Sequence, residues 1–185
     1  MKNDKVTVVT RGVKNNALTC VVMGVSGSGK TTLAKLLAKQ LHLPMFDADD
    51  FHSEKNKLHM AQGRPLSDEM RLPWVKRLVE LITDEMATGR GCVLAYSGLR
   101  KEHRQLIRLG SPNVVFIFLN GSQELIAKRL AGRDNHFMPA SLLQSQFNDL
   151  DIPVNEHDVI VLDVEDSLEN LLTKALAALK QAGFY

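Results

Sequence analysis

Short apolar runs alternate along the chain with longer stretches in which apolar residues recur every three or four positions. The runs are LTCVVMG at 18–24, PMFD at 44–47, CVLAYS at 92–97, NVVFIFL at 113–119 and DVIVLD at 158–163. They are brief and rich in β-branched residues, which predicts strands covered on both faces. The intervening stretches carry the helical period. Residues 30–41 place leucines at 33, 36, 37 and 41, and residues 68–88 carry a stripe through Val75, Leu78, Val79 and Ile82. Residues 122–130 open on a serine suited to capping a helix, and a closing helix is expected over 167–181. Neighbouring parallel strands need a crossover, so this alternation predicts an α/β fold: a parallel sheet of five strands with helices on both faces. Residues 1–16 are polar apart from 6–9 and read as a loosely held tail, leaving one domain over 17–185.

Composition narrows the field of functions. With 185 residues, 44% of them hydrophobic, the chain buries one substantial core and is short for two. Its net charge of +2 is small and its basic residues are dispersed, which argues against a nucleic-acid partner. No run reaches the roughly 18 apolar residues of a membrane helix, and the N-terminus lacks a signal-peptide core. Cys20 and Cys92 each sit in an apolar run without metal-ligand spacing, as reduced core thiols do. A cytoplasmic protein with no membrane partner is the expectation.

The connection after the first strand carries the chemistry. Gly24-Val25-Ser26-Gly27-Ser28-Gly29-Lys30-Thr31 satisfies G-x-x-x-x-G-K-[ST] and falls between a predicted strand and a predicted helix, the setting that motif requires. Glycines let successive N–H groups turn inward to nest a phosphate, and the positive end of the following helix points at the same spot. The expected phosphate cradle is Gly24, Ser26, Gly27, Ser28, Gly29, Lys30, Thr31 and Thr32, with Lys30 on the β- and γ-phosphates and the Thr31 hydroxyl on Mg²⁺. ATP and Mg²⁺ are the implied cofactors.

FDADDFH, at 46–52, ends the second strand at the sheet edge where α/β proteins bind ligands. Its clustered aspartates repel one another and call for a positive partner. In an extended backbone Asp47 and Asp49 share a side, so that Asp47 meets the metal's waters while Asp49 takes a hydroxyl proton from an acceptor. A solvated acidic turn is the alternative. Further on, the planar fork of Arg71 suits a carboxylate, either an acceptor's or that of Asp68 or Glu69. Ser97, Arg100 and Arg104 follow the third strand and face the same cleft, unless they belong to a solvated helix face.

Four blocks occur in order: MGVSGSGKTT, DADDFHSEKNKLHMAQGRPLSDEMRLPW, YSGLRKEHRQLIR and RDNHFMPASLLQSQF. Together they resemble the gluconate kinases of the small P-loop type, relatives of shikimate kinase and the nucleoside monophosphate kinases, over roughly residues 18–180. The resemblance implies a three-layer P-loop NTPase fold with a lid at about 132–139, and ATP-dependent phosphorylation of gluconate on its terminal hydroxyl to give 6-phosphogluconate. It assigns Lys30, Asp49 and the lid arginines Arg129 and Arg133 to catalysis. It places Asp49, His52, Arg71, Ser97, Arg100, Arg104 and Gln146 around the acceptor, and it implies a possible homodimer. The family usually reads Cys-Ser-Ala-Leu-Lys and then a tyrosine where this chain has Tyr96-Ser97-Gly98-Leu99-Arg100 and His103, which alters volume beside the acceptor. A kinase for shikimate or another aldonate, and a nucleotide-gated module without turnover, stay open as rival readings.

Overall fold

The computed structural model describes residues 17–132 and 140–184. The expected tail over 1–16 and lid residues 133–139, Arg133 and His136 among them, lie outside the described residues. Among the described residues five strands form one parallel sheet in the order β2-β3-β1-β4-β5. They are β1 (Leu18–Met23), β2 (Met45–Asp47), β3 (Gly91–Ala95), β4 (Val114–Asn120) and β5 (Val159–Asp163). The helices are α1 (Lys30–Leu41), α2 (Glu54–Ala61), α3 (Asp68–Ala87), α4 (Lys101–Gly110), α5 (Gln123–Ala131), α6 (Ala140–Asn148) and α7 (Leu168–Gln181).

Strand alternation divides the core into two layers. Cys20, Val22, Val115, Ile117 and Leu119 face Leu33 and Leu37 of α1 and Ala175 and Leu179 of α7. Val21, Met23, Phe116 and Phe118 face Val75, Leu78 and Ile82 of α3 and Ile107 of α4. Each fully buried leucine or isoleucine in these layers contributes about 1.5–3 kcal/mol relative to an exposed one. The predicted period is thus the period of the core. Both cysteines are buried and unpaired, and burial pushes their thiols up to about 12, so they serve as inert packing.

β1, β3 and nearly all of β4 are covered on both faces, as their apolar runs predict. β5 departs from that expectation. It forms the sheet edge, and Val161 is exposed there. Four helices take the serine caps their sequences offer: Ser53, Ser67, Ser122 and Ser167 each accept a hydrogen bond from the backbone N–H three residues on. Three helices, α2, α4 and α6, lie outside the stretches marked by the hydrophobic period. Among the described residues no helix is long and apolar enough to cross a membrane.

Candidate active site

All five strands point their carboxyl ends at one edge of the sheet, and the motif-bearing connections gather there. The 24–29 loop leaves β1 and enters α1 directly. Gly24 donates to the Ser97 carbonyl at 3.1 Å, tying this loop to the connection after β3. At Gly24 the backbone has φ +141°, and a Cβ would stand 2.8 Å from the Leu119 carbonyl oxygen, so only glycine fits. Gly29, with φ +101°, turns the chain into α1 without a side-chain cap, leaving the helix N-terminus open toward the loop. Lys30 Nζ donates to the Val25 carbonyl at 3.0 Å and so folds back across the loop. Ser28 Oγ is buried without a hydrogen-bond partner among the described residues. A buried hydroxyl of that kind suits a polar ligand in the nest.

The Thr31 hydroxyl donates to Asp47 Oδ2 at 2.8 Å, joining the first turn of α1 to the end of β2. The aspartates are arranged differently from the extended register expected of them. Asp47 ends β2 and its Oδ1 accepts from the Asp49 N–H at 3.1 Å, which caps a 3-10 turn over Ala48–Phe51. Local capping outweighs strand continuation here, as is usual for aspartate. Asp47 consequently turns toward Thr31, whereas Asp49 stands in the open cleft with its side chain 87% exposed and 4.0 Å from His52 Nε2.

A cleft of about 820 Å³ runs from Ser26 and Lys30 of the loop past Asp49 to Arg71, Ser97 and Arg100. Its wall is aromatic. His52 stacks on Trp74 with ring centroids 3.9 Å apart, Tyr96 meets the same indole edge-on at 5.3 Å, and Trp74 Nε1 donates to the Ala48 carbonyl at 2.7 Å. Burial, with the positive charges of Lys57 and Arg71 nearby, pushes the His52 imidazole down to about 4. It is neutral at pH 7, and its Nδ1 is buried without a partner among the described residues. His103 lines the same cleft, and burial likewise lowers its pKa.

This predicts a pH dependence. Unfolded, His52 titrates near 6.5; folded, near 4. Between those values the unfolded chain binds more protons, so stability rises with pH across that window. The contribution is whole above about 6.5 and is lost as pH falls toward 4. His52→Phe keeps a stacking ring and removes the titration. Denaturant unfolding from pH 4 to 7 should show a shallower slope in the variant, by up to about one proton.

The remaining residues with sequence-based assignments divide. Arg71 pairs with Asp149 at 2.6 Å and more loosely with Asp68 at 3.5 Å. Arg100 reaches the other Asp149 oxygen at 2.8 Å. Gln146 lines the cleft, but its Oε1 accepts from the Ser26 N–H at 2.6 Å, so it sits on the phosphate loop. Arg104 does not reach the cleft. It is fully buried, and all five of its N–H groups are used: on the Gly98, Leu99 and Asp151 carbonyls and on both oxygens of Glu156. It shapes the 97–100 loop from behind. Burial by itself would raise the Glu156 carboxyl, but hydrogen bonds from Arg104 and Arg108 outweigh it and hold the group below its ordinary value. Arg129 donates to the Val164 carbonyl after β5 and likewise does not line the cleft. Sequence reasoning missed Asp149, because nothing in LQSQFNDLD marks one acid above another.

A parallel sheet in this strand order, with a phosphate loop after β1 that opens into a cleft along the same edge, defines a small P-loop kinase. The model of the shikimate kinase family matches residues 26–180, and the chain belongs to that family. A relative in Mus musculus described as a probable gluconokinase is 41% identical over 177 residues, covering 86% of this chain and 96% of its own. The thermosensitive gluconokinase of Escherichia coli K12 is 39% identical over 165 residues, covering 87% and 88%. The crystal structure of a gluconokinase from Sinorhizobium meliloti 1021 superposes with a TM-score of 0.81 at 35% identity, covering 89% of this chain and 93% of that one. The chain is accordingly a phosphotransferase that uses ATP.

Proposed function

We propose that the protein transfers the γ-phosphoryl group of ATP to the terminal hydroxyl of D-gluconate, giving 6-phosphogluconate in the cytoplasm. One observation carries the reading: a single cleft joins Ser26 and Lys30 of the phosphate loop to Asp49, Arg71 and Arg100, so donor and acceptor have seats in the same space. The names of the similar proteins support gluconate as the acceptor.

In this mechanism the loop amides and the α1 N-terminus bind the phosphates, and Lys30 neutralises charge on the transferring group. Arg71 and Arg100 hold the carboxylate of the acceptor. Asp49 receives or orients the hydroxyl proton, and the neutral His52 offers a hydrogen bond to the polyol. Thr31 and Asp47 would hold Mg²⁺. Their paired oxygens, with no group of three or more His, Cys, Asp or Glu among the described residues that could hold a metal, fit an ion that keeps several waters and binds phosphate oxygens. When bound, the ion supplies charge neutralisation at the phosphates.

The test is acceptor-dependent ADP formation with gluconate compared against gulonate, idonate, glucose and shikimate. Gluconate should give the highest kcat/KM. A higher value for any other acceptor overturns the substrate assignment, and ADP release indifferent to acceptor overturns the kinase reading.

A further inference from the structure

Asp149 follows α6 and meets two arginines, Arg71 and Arg100, that line the acceptor end of the cleft. One of its oxygens lies 2.6 Å from Arg71 and the other 2.8 Å from Arg100, so a single carboxylate bridges the two guanidiniums. This acid is not on a swinging loop. Its N–H donates to the Ser145 carbonyl at 3.0 Å. Two residues on, the Asp151 N–H donates to the Leu99 carbonyl at 2.9 Å, and the Asp151 carboxylate accepts from the Lys101 N–H at 2.9 Å. The segment bearing Asp149 is therefore strapped to the loop bearing Arg100, and Arg71 joins them from α3 through its ion pair with Asp149.

Charge decides what such a cluster accepts. Arg71 and Arg100 bring two positive charges, and their side chains are 13% and 37% exposed. Asp149, 18% exposed, cancels one of them at contact distance. Asp68 stands farther off, at 3.5 and 3.7 Å, and is 62% exposed, so solvent screens most of its effect. About one positive charge is left over for a ligand. A donor is left over as well: Arg100 Nε is buried without a hydrogen-bond partner among the described residues. Each Asp149 oxygen takes one Nη, and the second Nη of Arg71 has only the looser contact with Asp68 at 3.5 Å, which an incoming acid can replace.

We propose that Asp149 is a positioning and specificity-determining residue: it locks Arg71 and Arg100 into a receptor whose residual charge matches a singly charged carboxylate and disfavours a doubly charged phosphate at that end of the acceptor. It rests on the reading of Arg71 and Arg100 as the seat of the acid group. Without the bridge, two uncompensated guanidiniums favour the dianion.

The experiment measures KM for D-gluconate, and competition constants against it for D-glucitol, which lacks the acid, and for D-glucitol 1-phosphate, which carries a phosphate in its place. It is run at pH 8, where the phosphate is a dianion. In Asp149→Asn the preference for gluconate over glucitol 1-phosphate should fall tenfold or more, while kcat at saturating gluconate stays within about threefold. Asp149→Glu, which restores the charge, should stay within about threefold of the wild-type preference. Asp149→Ser makes the same prediction as the asparagine should that variant fail to fold. Wild-type discrimination in the uncharged variants overturns the role of Asp149 while leaving the acid seat intact. Arg71→Met tests the seat separately. If that variant keeps the wild-type preference for gluconate over glucitol, the acid seat is lost and this inference with it.

Discussion

Lys30→Ala folds, melts within a few degrees of the wild type, and loses at least about two orders of magnitude in acceptor-dependent ADP production. The reasoning begins with its place. Lys30 is the first residue of α1 and half-exposed, and its ammonium reaches the Val25 carbonyl across the phosphate loop. Its side chain belongs to neither hydrophobic cluster, so removing it leaves both apolar layers intact. A kinase has little covalent chemistry to perform and works by positioning reactants and neutralising charge, so a positioned cation over the transferring phosphates carries a large share of the rate. Parallel measurements of thermal melting and of kcat/KM check this. A variant that keeps more than about a tenth of wild-type kcat/KM removes Lys30 from catalysis.

Asp49→Asn is the second large effect, with kcat lowered by roughly a hundredfold or more and stability unchanged. Asp49 sits in the 3-10 turn by its backbone N–H, which bonds to Asp47 and does not involve its own carboxylate. The side chain is 87% exposed in the cleft, so asparagine fits without disturbing packing. What asparagine lacks is the charge that accepts or orients a proton. Asp47→Asn makes an instructive contrast, because Asp47 both accepts from Thr31 and caps the turn. That change should affect KM for ATP and local stability together. Wild-type kcat in purified Asp49→Asn sinks the assigned role.

Much of this architecture was legible along the chain because its causes are local. Alternating apolar runs give strands, serines before helical stretches become caps, and the glycine pattern at 24–29 requires the backbone angles found there. The exposed edge of β5 was not legible, since an apolar run reads the same whether or not a neighbour lies beyond it. The pairing of side chains was also hidden. Arg100 and Arg104 lie four residues apart with the same chemistry, yet one lines the cleft and the other spends every donor beneath it. That difference arises from the approach of Glu156 and the Asp151 carbonyl, about fifty positions away. Asp47 and Asp49 were read on one side of an extended backbone, and a local capping hydrogen bond between them set them apart.

The sequence alone determined the phosphate loop, the layers of the sandwich and the family to which the chain belongs, because backbone geometry, hydrophobic period and motif spacing are written in consecutive residues. Only the tertiary structure decided that one carboxylate from the end of α6 bridges two arginines from α3 and the β3–α4 loop, and that Gln146 rests on the Ser26 amide. Those contacts join residues 49 to 120 positions apart. Charge and hydrogen bonding act over a few ångströms in space, and the chain records that proximity nowhere until it has folded.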